Sequence, residues 1–313
     1  MSVENPKVSR CFIDLQKGWP SPRLLPSQAL RLAASEVLAD TTRSTDAMLY
    51  GPNMGDPALR ESVAAWLSQL YRLRSPPAVE SSSSQDHGTG ARAPPISSDR
   101  ICITNGASGN LAAIMDAFTD PCYTRRVWMV EPTYFLACTI FDDAGFQGRL
   151  VGIPEDEEGP DMGSLRARIE QVDRKAEAAD STSSTAFKQA PQYCKLYRHV
   201  IYLVPTFSNP SAKTYTVARR EALVQLARAV DALIITDDCY DFLSWTAHDA
   251  PRVSSAAPPP PPRLVDIDTS LPGGNREWGN TVSNGSFSKL VGPGLRCGWA
   301  EATPAFIRRL NMV

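Results

Sequence analysis

Residues 199–242, HVIYLVPTFSNPSAKTYTVARREALVQLARAVDALIITDDCYDF, read in turn as strand, loop, helix and strand. The run 199–204 is short, apolar and ended by Pro205, as in a strand buried on both faces. Thr216 suits the cap of a helix that continues to about Val230. Residues 232–236 form a second buried strand, which closes in Asp237, Asp238, Cys239 and Tyr240. A helix set between two such strands implies that they lie side by side in a largely parallel sheet.

The alternation continues on both sides of this unit. Residues 100–104, 126–130 and 149–153 read as strands; 111–118, the segment after EPTYF to about 144, and 163–175 read as helices. Upstream, apolar residues recur at helical spacing over 27–38, and Asp56 with Pro57 opens a helix that reaches about Tyr71. The turn before it, YGPNMG at 50–55, presents Tyr50 on a fixed loop. Downstream, Thr303 and Pro304 open a last helix. Three polar or proline-rich stretches, near 75–98, 176–192 and 247–279, read as insertions; they include a serine run at 81–84 and a proline run at 258–262. The expectation is an α/β protein of three layers, with a mainly parallel mixed sheet between helices. Residues 1–45 would form an arm and first helix, and 46–313 one large domain. In such sheets ligands bind beyond the carboxyl ends of the strands.

Composition excludes several classes. The 313 residues carry a net charge of −2 and no basic run, which argues against nucleic-acid binding. Seven cysteines lie scattered without a CxxC pair, so neither a zinc site nor a disulfide framework is indicated. His87, His199 and His248 show no ligand spacing, and no metal site is expected. No signal-like leader and no membrane-length apolar run is visible, which makes a cytoplasmic compartment the expectation.

The chemistry concentrates in SNGSFSKLVGPGLRCGW, residues 283–299. Lys289 follows Ser286 and Ser288, and the Gly292-Pro293-Gly294 turn delivers Arg296. A lysine that attacks a carbonyl must lose its proton, which nearby positive charge and desolvation favour. Guanidinium and hydroxyl groups together suit a phosphate. The combination suggests pyridoxal phosphate held as a Schiff base; the plainer reading is a solvated Lys/Arg pair on a surface turn. Residues 106–109, GASG, open a helix after a strand, so the Ala107 N–H and Ser108 suit a phosphate as well. Asp237 ends a buried strand and needs a cationic partner, such as a protonated pyridine nitrogen, unless it or Asp238 caps the next segment. Tyr240 and Asn209, the latter held by Pro210, can donate to an oxygen on the same ring. Tyr134 can stack on that ring or sit in the core.

GASGN, EPTYF, PTFSNPSAKTY, ITDDCY and SNGSFSKLVGPGLRCGW, in this order, resemble the class I/II aminotransferases of fold type I. The wording is similar to a fungal branch of 2-aminoadipate and aromatic amino acid aminotransferases, and the resemblance runs from Ile13 onward. It implies that Lys289 carries pyridoxal 5'-phosphate and moves the proton between substrate and cofactor. Asp237 would pair with the pyridine nitrogen, Asn209 and Tyr240 would hold the ring oxygen, and Tyr134 would stack. Ala107, Ser108, Ser286, Ser288 and Arg296 would hold the phosphate. Tyr50 would reach a phosphate across a homodimer interface, and Gly18 would lie over the substrate. The implied substrates are an amino acid and a 2-oxo acid. Family members continue through a small C-terminal domain whose arginine binds the α-carboxylate, and no arginine here matches that motif. The expectation is therefore a large domain without its clamp. A lyase of the same fold, like aminocyclopropane-carboxylate synthase, and a non-catalytic cofactor-binding protein are the rival readings.

Overall fold

A computed structural model describes residues 18, 20–72, 95–179, 188, 195–243 and 261–312. The serine run at 81–84, prolines 258–260, most of the arm before Pro20, and His87 and His248 lie outside the described residues. Helices α1 (Ser27–Ala39), α2 (Thr41–Met48) and α3 (Pro57–Arg72) come first. Then follow β1 (Ile101–Thr104), α4 (Ala107–Phe118), β2 (Arg126–Glu131), α5 (Leu136–Phe141), β3 (Leu150–Asp156), β4 (Gly159–Pro160) and α6 (Met162–Ala179). The chain continues through β5 (His199–Leu203), α7 (Val217–Ala229), β6 (Ala232–Asp237), α8 (Leu264–Ser270), β7 (Thr281–Ser286), β8 (Gly298–Glu301) and α9 (Pro304–Leu310).

Among the described residues the strands form one sheet of eight in the order β1-β8-β7-β6-β5-β2-β3-β4. Strands β3, β2, β5, β6 and β7 run parallel; β8 lies antiparallel to both β7 and β1. Because side chains alternate along a strand, each strand feeds two cores. Val200 and Tyr202 join α4, α5 and α9 on one face, where Phe118 stacks on Phe306 with centroids 3.7 Å apart. Ile201 and Leu203 join α6, α7 and α8 on the other. A third cluster packs α3 against Ile101 and Trp299. This is the expected three-layer α/β arrangement with a mainly parallel mixed sheet. Among the described residues no helix is long and apolar enough to cross a membrane.

Local signals explain most boundaries. Asp56 Oδ1 accepts the Leu59 N–H at 2.8 Å, and the Thr216 and Thr303 hydroxyls accept from Arg219 and Phe306. Several features differ from the sequence reading, among them strands β4 and β8, which it did not contain. Helix α2 was not expected, and α6 runs to Ala179, past the start set for the second insertion. The stretch 247–279 is not all insertion, because α8 buries Leu264, Val265 and Ile267. The neighbouring prolines masked that apolar pattern. Strand β7 went unread because its sequence, TVSNGS, is polar although all six residues are buried. Its side chains are satisfied laterally: Thr281 by Asp268, Ser283 by Asp238 and Asn284 by Asn110.

Three elements on the α8 side are joined by charge. Arg263 Nη1 lies 2.6 Å from Glu301 on β8 and its Nη2 2.9 Å from Asp266 on α8. Arg100 reaches the other Glu301 oxygen at 3.2 Å. Arg263 also stacks over the Tyr71 ring of α3 at 4.1 Å.

Candidate active site

Strands β1, β2, β5, β6 and β7 point the same way, so the loops leaving their carboxyl ends converge. Asp237 is the last residue of β6, which lies in the middle of the sheet. Its Oδ2 accepts the Tyr202 hydroxyl at 3.2 Å, while Oδ1 is buried and has no hydrogen-bond partner among the described residues. Burial pushes the carboxyl above the ordinary range; Cys239, Tyr202 and the charge of Lys289 oppose that shift. Lys289 closes the turn after β7 and donates to the Gly18 carbonyl at 3.1 Å. Its Nζ lies 5.9 Å from the centre of the Tyr240 ring. The Asn209 amide reaches the Tyr240 hydroxyl at 3.4 Å, and burial pushes that phenol up. Tyr134, after β2, is half-buried; burial raises its phenol first, then Asp237, with Arg296 opposing.

A second group gathers at the start of α4. Gly106 has φ +94°, and a Cβ there would sit 2.7 Å from Arg296 Nη2. A side chain at 106 would therefore displace the guanidinium from the first turn of the helix, where Ala107 and Ser108 leave their N–H groups. Arg296 is itself left-handed, with φ 50°, and its Nη1 donates to the Pro293 carbonyl at 3.1 Å. Ser286 and Ser288 share a 2.9 Å hydrogen bond at the end of β7. Asn284 on β7 donates to the Ala107 carbonyl at 3.0 Å, which joins the helix start to the strand that carries Lys289.

The structure thus brings together Gly18, Tyr134, Asn209, Asp237, Tyr240 and Lys289, and beside them Ala107, Ser108, Ser286, Ser288 and Arg296. Tyr50 stands apart, fully exposed at the end of α2. The sequence reading missed Tyr202 and Cys239. Tyr202 carried a signal, since a phenol in a fully buried strand must find a hydrogen-bond partner.

Beneath the site the rest of the DDCYD loop is anchored by buried carboxyls. Asp238 Oδ2 accepts from Thr236 at 2.8 Å and from Ser283; Asp241 Oδ2 accepts from Tyr71 at 2.7 Å. Burial, then the charge of Asp241, raises Asp238 from 3.8 to about 7. Between about pH 4 and pH 7 the native state therefore holds a proton that the unfolded chain has released. This contribution to stability is full below pH 4 and is lost as pH rises through 7. Asp238→Asn keeps the acceptor oxygen and is expected to flatten the pH dependence of the urea midpoint across that window. A variant that retains the wild-type slope would place the titration elsewhere.

Comparison with known proteins bears on this arrangement. The family described as aminotransferase class I and II matches residues 13–313. The chain belongs to that family. It is 37% identical over 309 residues to an uncharacterized protein of Saccharomyces cerevisiae, covering 95% of this chain and 65% of that one. It is 25% identical to the mitochondrial kynurenine/alpha-aminoadipate aminotransferase of Rattus norvegicus, covering 97% of this chain and 60% of the relative. Its fold matches Pyrococcus horikoshii kynurenine aminotransferase, solved with PMP, kynurenine and product, at a TM-score of 0.63 and 25% identity. That match covers 94% of this chain and 57% of the other. The chain therefore spans about three-fifths of the length of these family relatives.

Proposed function

We propose that this chain binds pyridoxal 5'-phosphate and supports transfer of an amino group between an amino acid and a 2-oxo acid, the amino acid being of the 2-aminoadipate or aromatic class. The observation that carries the reading is Asp237: a buried carboxylate oxygen with no hydrogen-bond partner among the described residues, at the end of the strand next to the one that leads to Lys289. Such an oxygen is satisfied by a protonated ring nitrogen. The close approach of Arg296 to Gly106 forms a cradle of the kind a phosphate fits. When bound, pyridoxal phosphate supplies an electron sink for the bond being broken at the substrate carbon.

The chain's own residues do the rest. Asp237 holds the ring-nitrogen proton, and Asn209 and Tyr240 hold the ring oxygen. Tyr134 covers one face of the ring. Ala107 N–H, Ser108, Ser286, Ser288 and Arg296 hold the phosphate. Lys289 Nζ would take the proton from the substrate Cα and deliver it to the cofactor carbon that keeps the amino nitrogen, while Gly18 leaves room above the lysine. Met48, Leu49 and Tyr50, consecutive and exposed, suit burial by a second copy, so the working unit is a homodimer with Tyr50 crossing between subunits.

The test is the visible spectrum of the purified chain mixed with pyridoxal phosphate, before and after addition of 2-aminoadipate or an aromatic amino acid. A bound absorption band is expected, absent in Lys289→Ala and lost on addition of the amino acid as a 2-oxo acid appears. Identical spectra for wild type and Lys289→Ala would defeat the reading. Failure to form a new amino acid from an added 2-oxo acid would favour the lyase alternative.

A further inference from the structure

A separate cavity of about 420 Å³ opens on the opposite rim of the sheet, away from the carboxyl ends of the strands. Arg126 at the start of β2, Arg149 just before β3, Arg125, and Lys175 near the end of α6 line it. Among the described residues no aspartate or glutamate does. Among the described residues only Arg125 of these four has an ion-pair partner, Asp173.

The cations are held in place by the protein. Asp173 also meets His199 Nε2 at 2.9 Å, and the Trp128 indole N–H donates to His199 Nδ1 at 3.2 Å. Indole is a donor only, so the imidazole proton lies on Nε2 and points at Asp173. Burial keeps this imidazole below its usual pKa and hence neutral, which leaves the charge of Asp173 to Arg125. Arg149 donates to the Pro121 and Thr124 carbonyls, and Arg126 to the Arg125 carbonyl at 2.7 Å. Each guanidinium retains unused donors. Lys175 lies before the last turn of α6, so the helix end accounts neither for it nor for the three arginines beside it.

Like charges facing one space repel until an anion enters. Phosphate geometry matches the guanidinium fork, and a cavity of this size lies in the range that encloses a small organic ligand. The Tyr123 ring, partly exposed at the wall, offers a flat surface for an organic portion. We infer that this cavity is a second ligand site, which takes a small molecule bearing a phosphate or diphosphate group, and that Arg126, Arg149 and Lys175 bind that group.

The site is tested by calorimetric titration of the full chain with inorganic pyrophosphate and, separately, with ADP. The double variant Arg126→Gln/Lys175→Gln is compared with Arg166→Gln/Arg174→Gln, which removes the same charge from exposed positions on α6 outside the cavity. Both variants leave the Lys289–Arg296 region intact, so binding there is common to them. The expected result is saturable binding by wild type and the α6 control, weakened at least tenfold in the cavity variant, with unchanged circular dichroism. ADP binding tighter than pyrophosphate assigns the site to an organic phosphate; equal affinities assign it to inorganic diphosphate. No binding by wild type, no loss in the cavity variant, or equal loss in both variants overturns the proposal.

Discussion

Asp237→Ala is expected to slow the loss of cofactor absorption on mixing with amino acid by two to four orders of magnitude, about 3–5 kcal/mol. The carboxylate is buried, with one oxygen on Tyr202 and the other unpartnered among the described residues. Burial of a lone carboxylate opposes its charge, and a cation brought against it restores that charge. Removal of the carboxylate would leave the proposed ring cation without a counter-charge at a buried position. Asp237→Asn retains an acceptor for Tyr202 but no charge, so its rate should fall with the alanine variant while its fold holds. Tyr202→Phe removes one hydrogen bond and should cost only about 0.5–1.5 kcal/mol, roughly two- to thirteenfold. Stopped-flow absorbance separates the three variants. An asparagine variant at wild-type rate would show that the charge of Asp237 is not used.

Arg263→Ala should produce the largest loss of stability, about 3–5 kcal/mol, read as a fall in the urea midpoint. The arginine is buried between Glu301 and Asp266 and covers the Tyr71 ring, so its removal strands a buried carboxylate and opens a gap against α3. Arg100 remains on Glu301, and Arg263→Ala/Glu301→Gln should recover part of the loss by removing the stranded charge. A loss below about 1 kcal/mol would mean that Arg100 alone satisfies Glu301.

The βαβ pattern of 199–242 was plain because its strands are continuous apolar runs and its helix has a capping threonine. The same pattern placed the candidate residues, since Asp237 ends β6 and Asn209 and Lys289 lie in the loops that leave β5 and β7. What stayed hidden was polar burial. Strand β7 reads as a loop until Asp268, Asp238 and Asn110 are seen to satisfy its hydroxyls and amide, partners that lie far away in sequence. Tyr202 likewise gains its role only when β5 and β6 are laid side by side. The basic cavity joins residues near 125, 149 and 175, which no local motif connects.

Among the described residues strand β1 has a single neighbour in the sheet, β8, and pairs Ile101 with Glu301, about two hundred positions later. A ribosome adding about 5–20 residues per second makes β1 some ten to forty seconds before its partner. During that interval the strands from β2 to β6 can associate as they emerge, while the start of α4 waits without β7 to receive Asn284. The contact between Asn284 and the start of α4, and the turn that carries Lys289, are thus completed by one late event during synthesis. A nascent chain arrested before residue 281 should carry a folded βαβ core and no cofactor.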